Sequence, residues 1–330
     1  MQATENIGGS RARVSTDLMT NLTGILLIFT LGSLVIGAGA SADNVRAALS
    51  LCITSVIPTV FPIMVVSNAI VMGGGAALVE VMLGRFLGRI FRISPRGAVA
   101  VVLGFTCGAP VGAFAAARLW ESGDISIDDL CHLMTFINNP GAAFVIYAVG
   151  GGMLGSVRLG VAIYACVILS ALAAGLVLRP KKGARAPPAH QARRVCLPPS
   201  AVAVRSVSAA VNGSLNVCAY AAFFSSAMGI LSATLRSIGA SESLIALIYG
   251  AFELIGGTRA LAACGDYGFG VIAVSAACSW SGISILMQVV AAFQSASGEG
   301  RLSFAPMILS KLFQAALTGL FMCIYLNLLV

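Results

Sequence analysis

Charge is scarce in this chain. Lys, Arg, Asp and Glu make up 10% of its 330 residues while 58% are hydrophobic, against roughly 25% charged in an average soluble domain. So little charge argues against a soluble domain and leaves a polytopic membrane protein. Histidine is limited to His132 and His190, and no HExxH, Walker A or GxSxG pattern occurs. Those absences disfavour the common zinc, nucleotide and serine-nucleophile chemistries, so neither catalytic residues nor a metal or other cofactor is expected. Nine cysteines are scattered through apolar runs with no CxxC pair. They read as small buried hydrophobes rather than a disulfide frame. Acidic residues number 12 against 20 basic ones, and the resulting charge of +8 clusters between apolar runs. It therefore signals membrane topology and not a nucleic-acid partner.

What is abundant is apolar length. Runs of about 20 such residues can cross the hydrocarbon core. Full spans are expected near 21–40, 49–72, 126–155, 157–178, 204–232, 268–296 and 303–328, two of them broken. Segments 97–122 and 241–264 also break near the middle but are too short for two crossings, so they read as re-entrant hairpins. Residues 1–20 form a polar tail with Arg11 and Arg13. The apolar run that follows resembles a signal peptide but is long for an h-region of about 7–15 residues, so 21–40 is read as a retained first span.

A basic, Pro-rich linker over 179–204 holds no acidic residue, and the positive-inside rule puts it in the cytoplasm with the N-terminus. It separates a first repeat, 45–178, from a second, 205–330. The expected fold is an all-α polytopic membrane protein with an inverted-topology repeat, two re-entrant hairpins and two broken transmembrane helices. Within it, Arg85, Arg89, Arg92 and Arg96 form one helical stripe, which predicts an amphipathic helix in the membrane interface. Ser126-Ile127-Asp128-Asp129 has capping-box spacing and should start a helix.

The breaks carry the candidate site, because unwound backbone at membrane depth occurs only where protein or a wet cavity satisfies it. Matching breaks in two halves point to a transporter's binding site. In the first half the candidates are Thr106, Cys107, Gly108 and Pro110 at one hairpin tip, and Asn138, Asn139 and Gly141 at the first helix break. In the second they are Glu253, Gly257, Thr258 and Arg259 at the other tip, and Ser281 and Gly282 at the second break, with Gln288 beyond it. These groups are expected to converge near the bilayer midplane, with Arg259 as anchor for an anionic solute. Each has a plainer role open to it. The asparagines could cap half-helices, Glu253 and Arg259 could pair within the hairpin, and Gln288 could bond a neighbouring helix. Lys311 and Arg301 read as snorkelling residues, and His132 and Trp280 as core residues.

Certain of these residues resemble a known family. Gly-Phe-x-x-Gly-x-Pro-x-Gly at 104–112, the acidic stretch 121–129, Phe136-x-Asn138-Asn139-x-Gly141, Gly250-x-x-Glu253-x-x-x-Gly257, and Ser281-Gly282-x-Ser284 ending in Gln288 look like the sporulation integral membrane protein YlbJ family. That family falls within the wider group with nucleoside-recognition or Gate domains. The resemblance implies a fold like that of concentrative nucleoside transporters. It also implies, for sporulation members, a role in moving dipicolinic acid across the outer forespore membrane. Ala113, Ile255-Gly256 and Leu286 depart from the family pattern.

The function expected is a secondary transporter or facilitator of a small polar or anionic aromatic solute, dipicolinate-like or nucleoside-like, in a bacterial-type cell membrane. The alternative is a non-transporting scaffold or regulatory component of an envelope complex. Expected partners are the solute and the lipid bilayer, with a homo-oligomer left open.

Overall fold

The computed structural model describes residues 21, 24, 28, 31–181, 198–264, 267–297 and 303–329, and helix is the only regular structure among them. That outcome follows from the composition, since a chain immersed in lipid must satisfy its backbone groups within its own segments. Helix α1 (Ala38–Leu51) runs through a π-helical stretch, π1 (Cys52–Val56), into α2 (Ile57–Met72). Next come α3 (Gly75–Val79), π2 (Glu80–Gly84) and α4 (Arg85–Phe91). A helical pair, α5 (Gly97–Thr106) and α6 (Val111–Glu121), precedes α7 (Ile127–Leu133), π3 (Phe144–Met153) and α8 (Val157–Val177). Beyond the linker are α9 (Pro199–Ser237) and a second pair, α10 (Glu242–Phe252) and α11 (Leu254–Ala262). The chain ends in α12 (Tyr267–Trp280), α13 (Gly282–Ser297) and α14 (Ala305–Leu329).

Among the described residues, five helical stretches are long and apolar enough to cross a bilayer: Ser41–Met72, Val157–Val177, Pro199–Ser237, Tyr267–Gln294 and Ala305–Leu328. Large apolar side chains such as Ile36, Val81, Phe86 and Leu328 face outward, which in water would be costly and in lipid is neutral. Seven spans were expected. The 1–20 tail, part of the 21–40 span and most of the linker lie outside the described residues. The 126–155 segment is too fragmented to count, because α7 stops at Leu133 and π3 is ten residues long.

Three boundaries differ from expectation for local reasons. The charged stretch before residue 49 stays helical, because Asp43 and Arg46 pair across one turn at 2.7 Å on the exposed face. Helix α9 starts at Pro199 rather than 204, with proline in its first turn, where the missing N–H costs nothing. The basic stripe is not one helix. Arg92 adopts a left-handed φ of 56° that ends α4, and its Nη1 donates to the carbonyls of Pro180 and Lys181. Arg96 turns instead to Glu80 at 2.8 Å and Asp124 at 2.5 Å. Ser126 does form the expected capping box with Asp129.

Long helix, helical pair, interrupted helix, long helix is thus an order that occurs twice. In both pairs the arms cross at glycines. A methyl group on Gly112 would lie 2.5 Å from Gly104 Cα, and one on Gly257 would lie 2.3 Å from Gly250 Cα. Each pair also packs on the far segment of the other half's interrupted helix, α6 on α13 and α11 on π3. Two buried apolar clusters result. One surrounds α5 and α6 and takes in Leu286, Val289 and Phe293 of α13. The other surrounds α10 and α11 and takes in Phe144, Val145 and Val149 of π3.

Because those crossings leave no room for a Cβ, Gly112→Val and Gly257→Val should each lower stability by about 3 kcal/mol or more. Thermal unfolding of the purified protein, with Gly39→Val as a control at an open position, is the measurement.

Candidate functional site

The site is built from the ends of interrupted helices. At the tip of the first pair, Gly108 has φ 81° and sits so close to the first break that a Cβ would fall 2.2 Å from Gly141 N. Only glycine fits there. The Ala109 N–H donates to the carbonyl of Asn139 at 2.6 Å, so tip and break share a hydrogen bond. Cys107 is buried, its Sγ 2.6 Å from Ser67 Oγ of α2. Tyr164 of α8 donates to the carbonyl of Phe105. Pro110 precedes α6, and Thr106 is exposed, bonded only to its own helix and to Cys107.

The second pair is arranged alike. Glu253, 1% exposed, breaks the run between α10 and α11 in an extended conformation. Its carboxylate accepts the N–H groups of Ile255 at 2.8 Å and Gly256 at 2.5 Å. An acidic N-cap satisfies two orphan donors and sits at the positive end of the α11 dipole. Gly282 of the second break packs on Glu253 and Leu254, and Trp280 donates its indole N–H to the carbonyl of Ala251 at 2.8 Å. Ser281 and Gly282 both carry positive φ, 75° and 78°. Thr258 is tied to the Leu254 carbonyl and lies 3.6 Å from Met153 Sδ of π3.

The two halves of this arrangement meet at α14. Lys311 is fully buried, and its Nζ donates to Asn139 Oδ1 at 3.0 Å and to the Ser279 carbonyl at 3.1 Å. One side-chain nitrogen therefore touches both helix breaks. One turn away on the same face, Gln314 Nε2 donates to the Thr135 carbonyl at 2.7 Å, as does Ser310 Oγ at 2.6 Å. Thr318 pairs with Ser170, which in turn lies 3.4 Å from Ser279 Oγ. Tip, break, lysine, break and tip thus form a chain of contacts from Gly108 to Glu253.

Among the sequence candidates, Gly108, Asn139 and Gly141 form one group, and Glu253, Ser281 and Gly282 another. Asn138 is buried beside Met307, with Oδ1 unpartnered. Gln288 is buried on α13 with Oε1 unpartnered. Gly257 serves the arm crossing. Arg259 is exposed on α11, and no ion pair joins it to Glu253 among the described residues. Lys311 was expected to snorkel; the structure instead buries it six residues into α14. The signal that could have found it is the spacing of Ser310, Lys311, Gln314 and Thr318, which puts four polar groups on one helical stripe.

Beside the first tip lies a cavity of about 670 Å³ between α2, α6 and α9. Arg118, Arg205, Asn68, Asn212, Asn216 and Ser208 line it, along with Met64, Met72 and Phe114, and no acidic residue does. Neither arginine makes an ion pair among the described residues. A narrower recess sharing Asn68, Phe114 and Arg118 leads on to Ser67, the partner of Cys107 at the tip.

Over 164 residues, half of this chain, the sequence is 27% identical to the sporulation integral membrane protein YlbJ of Bacillus subtilis (strain 168). The chain is a multi-pass membrane protein similar to that one. The matched stretch covers 40% of the relative's length. No family model and no solved structure matches the chain.

If the polar face of α14 holds the first break, Ser310→Ala with Gln314→Leu should strand the buried Thr135 carbonyl and cost about 1–3 kcal/mol. Chemical or thermal unfolding of the double variant, with exposed Leu309→Ala as control, measures it.

Proposed function

We propose that the protein is a secondary transporter or facilitator of a small polar or anionic aromatic solute, with no catalytic chemistry. The cavity between α2, α6 and α9 carries this reading. It offers two unpaired guanidinium groups and three amides, flanked by thioethers and an aromatic ring, a lining suited to a planar anion. Its recess approaches the first tip, where a rearrangement of the pair against the break would open a path. The repeated element order and the exchange of contacts between halves support an inverted-topology repeat with the pairs as re-entrant hairpins. In that topology the basic linker and the N-terminus are cytoplasmic. A dipicolinate-like solute and the outer forespore membrane follow if the sporulation role of the relative carries over; a nucleoside-like solute is the other choice.

One observation favours the second reading, a scaffold or regulatory component of an envelope complex. Asn138, Asn139, Ser281 and Lys311 are all fully buried, so the breaks are packed dry and do not line the cavity. Transport then requires that the breaks part during a cycle; a scaffold requires no such movement.

Reconstituted proteoliposomes presented with dipicolinate, nucleosides and small carboxylates decide between them. Flux of one solute is expected. Arg118→Gln and Arg205→Gln should each reduce it about tenfold or more, the effect of losing one charge-assisted hydrogen bond of about 1.5–3 kcal/mol. Arg259→Ala should leave it within about twofold, because Arg259 does not line the cavity. Loss with Arg259→Ala and not with the other two would move the anchor to α11. Neither flux nor binding of any solute would leave the scaffold reading.

A further inference from the structure

Neither reading makes use of Lys311. A buried ammonium is ordinarily matched by a carboxylate, because an unpaired charge away from water is costly. Here no carboxylate pairs with it among the described residues. Its partners are two neutral oxygens, Asn139 Oδ1 and the Ser279 carbonyl. Amide and carbonyl oxygens are the donor set that an alkali-metal ion takes. Their positions reinforce the point. Ser279 lies in the last turn of α12, where carbonyls lack helical N–H partners and the dipole leaves negative partial charge. Asn139 stands in the unwound stretch between α7 and π3, held in place by its own Nδ2, which donates to the Phe136 carbonyl at 2.7 Å. Unwound backbone and half-helix C-termini are cation-facing ends.

We propose that the space between the two interrupted helices is a monovalent-cation site whose occupant is the tethered ammonium of Lys311. The protein thereby carries its own cation. The oxygens of Asn139 and Ser279, which would repel each other if brought together bare, are bridged without recruiting sodium or potassium. This goes beyond the transport reading and does not depend on it, since a scaffold would need the same bridge.

The test reads stability rather than flux, so it can fail independently of transport. The full-length protein in detergent is melted in choline chloride, sodium chloride, potassium chloride and methylammonium chloride at equal ionic strength. The wild type should show the same Tm in all four. Lys311→Ala, which removes the charge and opens the space it filled, should lose roughly 5 °C or more in choline chloride. Sodium or methylammonium should restore at least half of that loss. Lys311→Met removes the charge but keeps the bulk, so it should be low in every salt. A Lys311→Ala protein as stable as the wild type, or equally unstable in all four salts, would overturn the proposal. So would a wild-type Tm raised by sodium or potassium over choline, and that arm decides the matter if neither variant can be purified.

Discussion

Backbone that unwinds inside a bilayer must find its hydrogen bonds in the protein, and in this chain one helix provides many of them. Ser310, Lys311, Gln314 and Thr318 form a polar stripe along α14. Thr135 and Ser279 lie near helix ends, where a carbonyl has lost its partner four residues on. Helix α14 reaches Thr135 through Ser310 and Gln314 and Ser279 through Lys311, which also holds Asn139 of the first break. The rest of the arrangement depends on this. Without the donors of α14, the Thr135 and Ser279 carbonyls at the two breaks would lose these buried partners.

The glycine crossings set the other constraint. Arms that approach within contact of each other's backbone at Gly104–Gly112 and Gly250–Gly257 make each pair thin enough to lie against a break in its own half and a helix segment in the other. Dispersion between close backbones takes the place of the hydrophobic effect, which does not operate between helices in lipid. Each half is therefore incomplete alone, and its core contains side chains from the other.

Much of this was legible in the sequence where the cause is local. Pro140 and Gly141 end a helix by themselves, Ser126 announces a start three residues before its Asp129 partner, and Glu253 before Gly256-Gly257 marks a turn. Features that depend on distant partners were not. Lys311 stands as far from the start of its helix as a snorkelling lysine would, and only the position of Asn139, 172 residues away, distinguishes the two. Arg92 and Arg96 keep helical spacing with Arg85 and Arg89, yet the carbonyls of Pro180 and Lys181 and the carboxylates of Glu80 and Asp124 draw them off the helix. Arg118 and Arg205 sit near helix ends, where a basic residue ordinarily reports orientation, so nothing in the sequence sets them apart as neighbours across a cavity. The expected span begins only at Leu49 because the pairing of Asp43 with Arg46 within one turn is invisible to hydropathy.

The length of α9 has a consequence for where water stands. Its 39 residues extend roughly 58 Å at 1.5 Å per residue, about twice the hydrocarbon thickness of roughly 30 Å, and no ordinary tilt absorbs that difference. The helix divides unevenly. From Arg205 to Asn216 it carries an arginine, two asparagines and one serine that face the cavity, whereas from Val217 to Leu235 it has no charged or amide side chain. Only the second stretch, roughly 28 Å long, matches the oily layer. The polar stretch that lines the cavity, Arg205 to Asn216, therefore falls outside the length of α9 that fits the oily layer.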